Sequence, residues 1–188
     1  MKTEVFSLPE YYIVQPGDSL WKIAVRFQIG LSELIAANPQ IANPNLIFPN
    51  QRIHIPQRNV QADTLERQVV DLVNKERMQR GLRPLALNWE VARVARYKSE
   101  DMDRNNYFSH QSPVYGSPFD MLRSFGIRFS SAAENIARGQ TTAQAAMNSW
   151  MNSTGHRENI LSGAFTEMGA GYSNMRGTPF WTQMFIRP

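Results

Sequence analysis

The stretch YYIVQPGDSLWKIAVRF, from Tyr11 to Phe27, decides the reading of the first third of the chain. Tyr11–Val14 is a short β-like run. Pro16-Gly17 signals a turn, and Asp18 is placed to cap the helix that follows. Leu20, Ile23, Ala24 and Phe27 then fall at i, i+3, i+4 and i+7, one apolar face of a helix. Gly30 breaks it. Further out, Leu34, Ile35 and Ala36 build a second short helix. Asn38-Pro39 stops that helix, because a residue before proline is pushed out of the helical region. Arg52-Ile53-His54-Ile55 alternates polar and apolar as a half-buried strand does, and Pro56 closes it. The order is β-α-α-β, and so small a unit has a thin core. Gln57–Ala62 is polar and unpatterned. The expected division is a module over 1–57, a linker over 58–63 and a second domain over 64–188.

These residues carry a resemblance. YYIVQPGDSLWKIAVRF, LSELIAANP and NPNLIFPNQRIHIP, in that order, resemble a LysM module along its full length. The resemblance implies binding of N-acetylglucosamine-containing glycans such as peptidoglycan and chitin. The implied groove has Gly17, Asp18, Ser19 and Leu20 on one side and Leu46, Ile47 and Phe48 on the other. N-acetyl groups need backbone N–H and C=O partners and a small apolar shelf, and two turns offer both. The sequence departs from the family at Asn50, where glycine is usual. Asparagine is the next best residue for positive φ, so the turn is expected to survive. Trp21 lies on the first helical turn, where it can cover the edge of the fold. His54 is on the polar phase of its strand and reads as a solvated residue.

The second region opens with a helix. Asp63 is placed to cap it, with Glu66 three residues on as a capping-box partner. Leu65, Val69, Leu72 and Val73 line one face, and Gly81 and Pro84 end it. A longer helix follows from about Asn88, with Trp89, Ala92, Ala95 and Met102 expected inward. Helices around Phe119–Phe125 and Thr142–Met151 come next. Two strand-like runs, Met168–Tyr172 and Phe180–Ile186, are joined by the turn-rich Ser173–Pro179. Helices followed by a hairpin predict α+β, with helices packed on an antiparallel sheet.

Composition narrows the classes. The chain has 188 residues, no cysteine, and a formal charge of +4. Disulfides, thiolate metal sites and cysteine nucleophiles are therefore excluded. Residues 1–57 carry four basic and four acidic residues, so the excess lies wholly in the remainder, sixteen basic against twelve acidic. The arginines are scattered along predicted helices, which reads as a mixed solvated surface and not as a nucleic-acid footprint. No apolar run approaches the roughly 20 residues that span a bilayer. Met1–Glu10 has one lysine and no apolar core, so no secretory signal peptide is read there.

The chemistry-bearing residues of the second region are few. His110 follows Phe108-Ser109, and His156 sits within STGHRENI. Glu134 lies in AENI, next to Ala133 and two residues before Ile136, and Glu167 precedes MGAG. Two histidines and two glutamates can hold a divalent metal such as zinc, or tune acid–base pairs. Their wide spacing in the chain makes that a weak pattern by itself. FSHQSP, AENIA, the run from Trp150 to Ile160, FTEMGAGY and FWTQMF resemble a bacterial CAP domain, the family that includes cysteine-rich secretory and plant pathogenesis-related proteins. The resemblance covers nearly all of 64–188. It implies an α-β-α sandwich with a central cleft in which two His and two Glu face each other and can bind zinc or another divalent ion. His110 and Glu134 transfer directly. In eukaryotic members a glutamate stands three residues after the tryptophan. Here that position is Ser153, so His156 and Glu167 complete the set with roles exchanged.

Three functions follow as expectations. The favoured one is a binding protein, not an enzyme, that anchors a CAP domain at the bacterial envelope or spore surface. Its partners would be peptidoglycan or chitin oligosaccharides and envelope or spore coat proteins. The second is a metal-dependent hydrolase of wall material or peptides, with Glu134 or Glu167 as base and the histidines holding zinc. The third is a satisfied polar network that only braces the core. There is no HExxH helix and no GxSxG elbow. Ser109, Ser149 and Ser153 read as turn and helix-surface residues, and Arg157, Asn135 and Asn159 as bracing groups.

Overall fold

A computed structural model of the chain describes residues 8–57 and 59–188. The signal-peptide reading of Met1–Glu10 falls mostly outside the described residues. The chain divides at Val60 into two compact units.

The first unit is β1 (Tyr11–Ile13), α1 (Leu20–Phe27), α2 (Leu31–Ala36) and β2 (Arg52–His54). β1 and β2 pair antiparallel, with Tyr12 opposite Ile53. Leu20, Ile23, Ala24, Leu34, Ile53 and Ile55 form the core. The helical spacing read from the sequence is the buried face of α1, but the cap differs. Ser19, and not Asp18, is the N-cap, and its side chain accepts from the Lys22 N–H at 3.2 Å. Asn38 explains the Asn-Pro stop more fully than proline alone. It is buried, its amide donates to Leu34 O and His54 O, and its carbonyl accepts from the His54 N–H, each at 2.8 Å. One side chain thus ties the end of α2 to β2. Asn50 has φ of +68°, so the position expected to need positive φ does adopt it.

The second unit is α3 (Val60–Gln79), β3 (Ala86–Leu87), α4 (Trp89–Arg104), α5 (Pro118–Ser124), β4 (Ser131–Arg138), α6 (Ala143–Asn152), α7 (Thr154–Leu161), β5 (Glu167–Ser173) and β6 (Phe180–Arg187). The four strands lie in the order β3-β5-β6-β4, with β3 parallel to β5 and the other pairs antiparallel. Successive strand residues point to opposite faces. Trp181 and Phe185 of β6 therefore meet α3, α6 and α7, while Met184 and Ile186 meet α4 and α5. This is the α-β-α sandwich, with β6 in the middle and β4 at an edge.

Three local expectations are corrected. α3 begins at Val60, so residues expected to be linker are helical and Asp63 lies inside the first turn. Asp63 and Glu66 are not a capping box. Both accept from Arg96 of α4, and Glu66 also accepts from the Tyr172 N–H. On α4 the buried face is Val91, Val94, Ala95, Lys98 and Met102, whereas Trp89 and Ala92 are only partly buried. Strands β3 and β4 and helix α7 were not foreseen.

Two glycines set the contact of α4 with the sheet. A Cβ at Gly169 would lie 2.1 Å from the Ala92 nitrogen, and one at Gly171 would lie 2.1 Å from the Ala95 carbonyl carbon. The α4 backbone thus rests directly on β5. The exposed edge of β4 is covered as sheet edges usually are: the Trp150 indole N–H of α6 donates to Ile136 O at 3.1 Å.

Candidate functional site

In the first unit the turn after β1 is built on Asp18. Its Oδ2 accepts from the Tyr12 hydroxyl and from the Gln15 N–H, both at 2.8 Å. The Gln15 bond, then the Tyr12 bond, hold the Asp18 carboxyl below its ordinary pKa. Gly17 takes φ of +85°, and its carbonyl accepts from the Lys22 ammonium at 2.7 Å. The second loop is seated beside this turn, because Asn50 N–H donates to Val14 O and Val14 N–H donates to Gln51 O, each at 2.9 Å. The seven residues expected at the groove separate into three kinds. Leu20 is core and Ile47 packs against the core. Leu46 and Phe48 are 54% and 59% exposed, so the core does not use them and they are free to meet a ligand. Gly17, Asp18 and Ser19 supply the shaped backbone between. Trp21 is also exposed, and His54 packs edge-on against Tyr11.

In the second unit the structure brings His110 and Glu134 together. Glu134 lies on β4 opposite Met184, on the face that α4 covers. His110 sits on the loop that follows α4, and its Nδ1 is 2.7 Å from Glu134 Oε1. The His110 side chain is 54% exposed and that of Glu134 only 1%. The carboxylate is thus sealed beneath a ring that is half open to solvent. In the neutral ring, the tautomer that donates Nδ1–H to the Glu134 carboxylate leaves a lone pair on Nε2. Such a ring can accept a hydrogen bond or a proton from a ligand. Glu134 Oε2 is buried without a hydrogen-bond partner among the described residues. A polar atom left in that state costs stability, which is the mark of a group kept for another purpose.

His156, on α7, is partly buried. Burial holds its pKa below the ordinary imidazole value, and the charge of nearby His110 acts in the same direction. α7 is tied to β4 by amides: Asn135 donates to His156 O at 3.1 Å and to Gln183 Oε1 at 3.0 Å, and Asn159 donates to Asn135 Oδ1 at 2.9 Å. Arg157 donates to Met151 O. Asn135, Asn159 and Arg157 are therefore bracing groups, as expected.

Glu167 does not join the others. It opens β5 opposite Ile186, and Ile186 is opposite Ala132, so β6 stands between it and β4. Its Oε2 accepts from the Asn88 amide at 2.6 Å. Asn88 is in turn the N-cap of α4, accepting from the Glu90 and Val91 N–H groups. The placement of Glu167 is explained by that cap. Among the described residues no three His, Asp or Glu side chains converge as metal ligands. A protein-held catalytic zinc takes three. The His110–Glu134 pair alone does not fit that requirement.

Sequence reasoning missed Lys98, Tyr107, Asp101 and Ser112, which underlie the His110 loop. A lysine within the apolar phase of α4 was the available signal. Ser109 is a turn residue, with its Oγ accepting from the Gln111 N–H at 3.1 Å.

The sequence matches the model of the cysteine-rich secretory protein family, CAP, over residues 70–185, and that of the LysM domain over 12–56. It is 52% identical over 121 residues to the uncharacterized protein YkwD of Bacillus subtilis (strain 168), covering 64% of this chain and 46% of that protein. It is 45% identical over 49 residues to SpoIVD-associated factor A of the same organism, covering 26% of this chain and 13% of that protein. Its fold is similar to the crystal structure of an extracellular protein containing an SCP domain from Bacillus anthracis, with a TM-score of 0.65 and 36% identity, covering 74% of this chain and 47% of that one. The chain spans less than half the length of these relatives.

Proposed function

The chain belongs to the cysteine-rich secretory protein (CAP) family and carries a LysM domain, and from that premise we propose that it is a glycan-binding protein of the bacterial wall. Its LysM domain takes N-acetylglucosamine-containing polymer, peptidoglycan or a chitin-type chain, and brings the CAP domain to the envelope or spore surface. One observation carries this reading most directly. Leu46 and Phe48 are exposed on a loop hydrogen-bonded to the end of β1, beside the turn pinned by Asp18. That arrangement sets an apolar shelf next to shaped backbone, which suits an N-acetyl group. Similarity of the LysM segment to the spore coat assembly protein ExsA of Bacillus cereus, 43% identical over 49 residues, favours a spore surface as the place. Among the described residues no helix is long and apolar enough to cross a membrane.

Sedimentation with insoluble peptidoglycan and with chitin tests it. The intact chain is expected in the pellet, and the double variant Leu46→Ala/Phe48→Ala in the supernatant, with unchanged circular dichroism. Equal sedimentation of both proteins would overturn the groove assignment.

A second reading rests on the CAP domain. A half-exposed imidazole whose Nδ1 is backed by a sealed carboxylate is the arrangement of a general base. It supports hydrolysis of wall material, for which release of soluble muropeptide by the wild type and not by His110→Ala is the measurement.

A further inference from the structure

The loop that carries His110 is held from beneath by a lysine with no exposed surface. Lys98 lies on the buried face of α4 and is 0% exposed. Its ammonium donates to the backbone carbonyl of His110 at 2.9 Å and to the Tyr107 hydroxyl at 3.1 Å. The Tyr107 hydroxyl donates in turn to Asp101 Oδ2. Ser112 Oγ donates to the same oxygen at 2.7 Å and accepts from the Val114 and Tyr115 N–H groups at 3.0 and 2.9 Å. Two charged side chains one turn apart on α4 therefore reach both ends of the segment 107–115. A buried ammonium is expensive unless its hydrogen bonds are made. A methionine of similar length would fill the space without that cost, so the charge demands a reason.

We propose that Lys98 is the positioning residue for the His110–Glu134 pair, fixing the His110 main chain so that the imidazole can reach only Glu134. With the His110 carbonyl anchored, two side-chain torsions remain, and the 2.7 Å bond to Glu134 uses both. Burial lowers the pKa of Lys98, while the carboxylates of Glu134 and Asp101 act to keep it charged. The same proximity places the Lys98 ammonium near the sealed Glu134 carboxylate. Lys98 thus acts on both members of the pair, on one through a hydrogen bond and on the other through its field. The inference deepens the reading of this pair as the working part of the CAP cleft.

The test needs no ligand. Ring 15N chemical shifts of His110 at a pH where the ring is neutral report which nitrogen carries the proton. In the wild-type chain the charged acceptor makes the Nδ1–H tautomer dominate by about tenfold, the factor a charge-assisted hydrogen bond supplies. Lys98→Met is expected to bring that ratio to near unity or below, and to speed amide exchange across 107–115 while β5 and β6 keep their protection. A purely structural role would lower stability and leave the tautomer ratio unchanged, which would overturn the proposal. If Lys98→Met does not fold, Tyr107→Phe serves, since it cuts the link from Lys98 to Asp101 with little loss of volume. It is expected to speed exchange at His110–Tyr115 by about fivefold or more and to lower the tautomer ratio. Unchanged values in that variant would equally overturn it. Failure of wall binding leaves both readouts intact, so the two readings fall separately.

Discussion

His110 Nδ1 meets Glu134 Oε1 at 2.7 Å across 24 residues of sequence, with the carboxylate sealed and the ring open. The relationship joins a loop to an edge strand, and it leaves Glu134 Oε2 buried without a hydrogen-bond partner among the described residues. A group held in that state for function is not contributing its full worth to stability.

Glu134→Gln should therefore change the unfolding free energy by no more than about 1 kcal/mol, in either direction, because the amide keeps an oxygen to accept from His110 Nδ1 and replaces an oxygen that has no partner among the described residues. Urea titration followed by tryptophan fluorescence measures it. A loss of about 3 kcal/mol or more would mean that the pair is a brace for the core, the third of the functions considered.

His156 should titrate below 6.5, its ordinary value. The causes are burial first and the His110 charge second, so His110→Ala should move the titration of His156 upward. The sign for stability follows. The unfolded chain binds this proton at higher pH than the folded one. The contribution of His156 is therefore complete above about 6.5 and is lost as the pH falls through its lowered folded value. NMR titration of the ring protons in both proteins is the measurement, and an unmoved His156 in the variant would contradict the assigned neighbour.

Gly171→Ala should destabilise the CAP domain by about 3 kcal/mol or more, above the usual range for overpacking. Its Cβ would stand 2.1 Å from the Ala95 carbonyl carbon, and backbone of a buried helix cannot turn aside as a side chain can. Gly177→Ala is the control in one respect: nothing lies within 4 Å of its Cβ, so only its positive φ of +83° resists the change. Thermal denaturation should rank Gly171→Ala clearly the worse.

Asn50→Gly should leave the LysM domain as stable or slightly more stable, whereas Asn50→Val should cost about 1–2 kcal/mol. The reason is the φ of +68° at a turn whose N–H closes on Val14 O. Glycan retention should follow the same order, since this turn carries Phe48 and Gln51. Retention by Asn50→Val equal to that of the wild type would separate the turn from the groove.

The LysM half was nearly all legible in the sequence, because its order is local. The i, i+3, i+4, i+7 spacing from Leu20 to Phe27 and the alternation at Arg52–Ile55 are each complete within a few residues. Even there the cap moved by one residue, from Asp18 to Ser19, because two adjacent polar side chains compete and only the closed turn selects between them. In the CAP half helices α3, α4, α5 and α6 and the β5–β6 hairpin were legible for the same reason. β4 was not, since SAAENIAR sets its polar and apolar residues in pairs and so shows no period of two, and its identity depends on pairing with β6.

The chemistry-bearing residue types of this half were also legible in the sequence: two histidines and two glutamates in apolar or turn-rich surroundings. Which of them meet was decided only by the tertiary structure. Sheet order put β6 between Glu134 and Glu167, and the latter became a partner of the cap of α4. The covering of the loop by Lys98, Tyr107 and Asp101 likewise exists only once α4 lies flat on Gly169 and Gly171. Local sequence selects a backbone conformation residue by residue, but contacts between distant residues depend on strand order and on the depth at which a helix seats, and those are set by the packing of the whole domain.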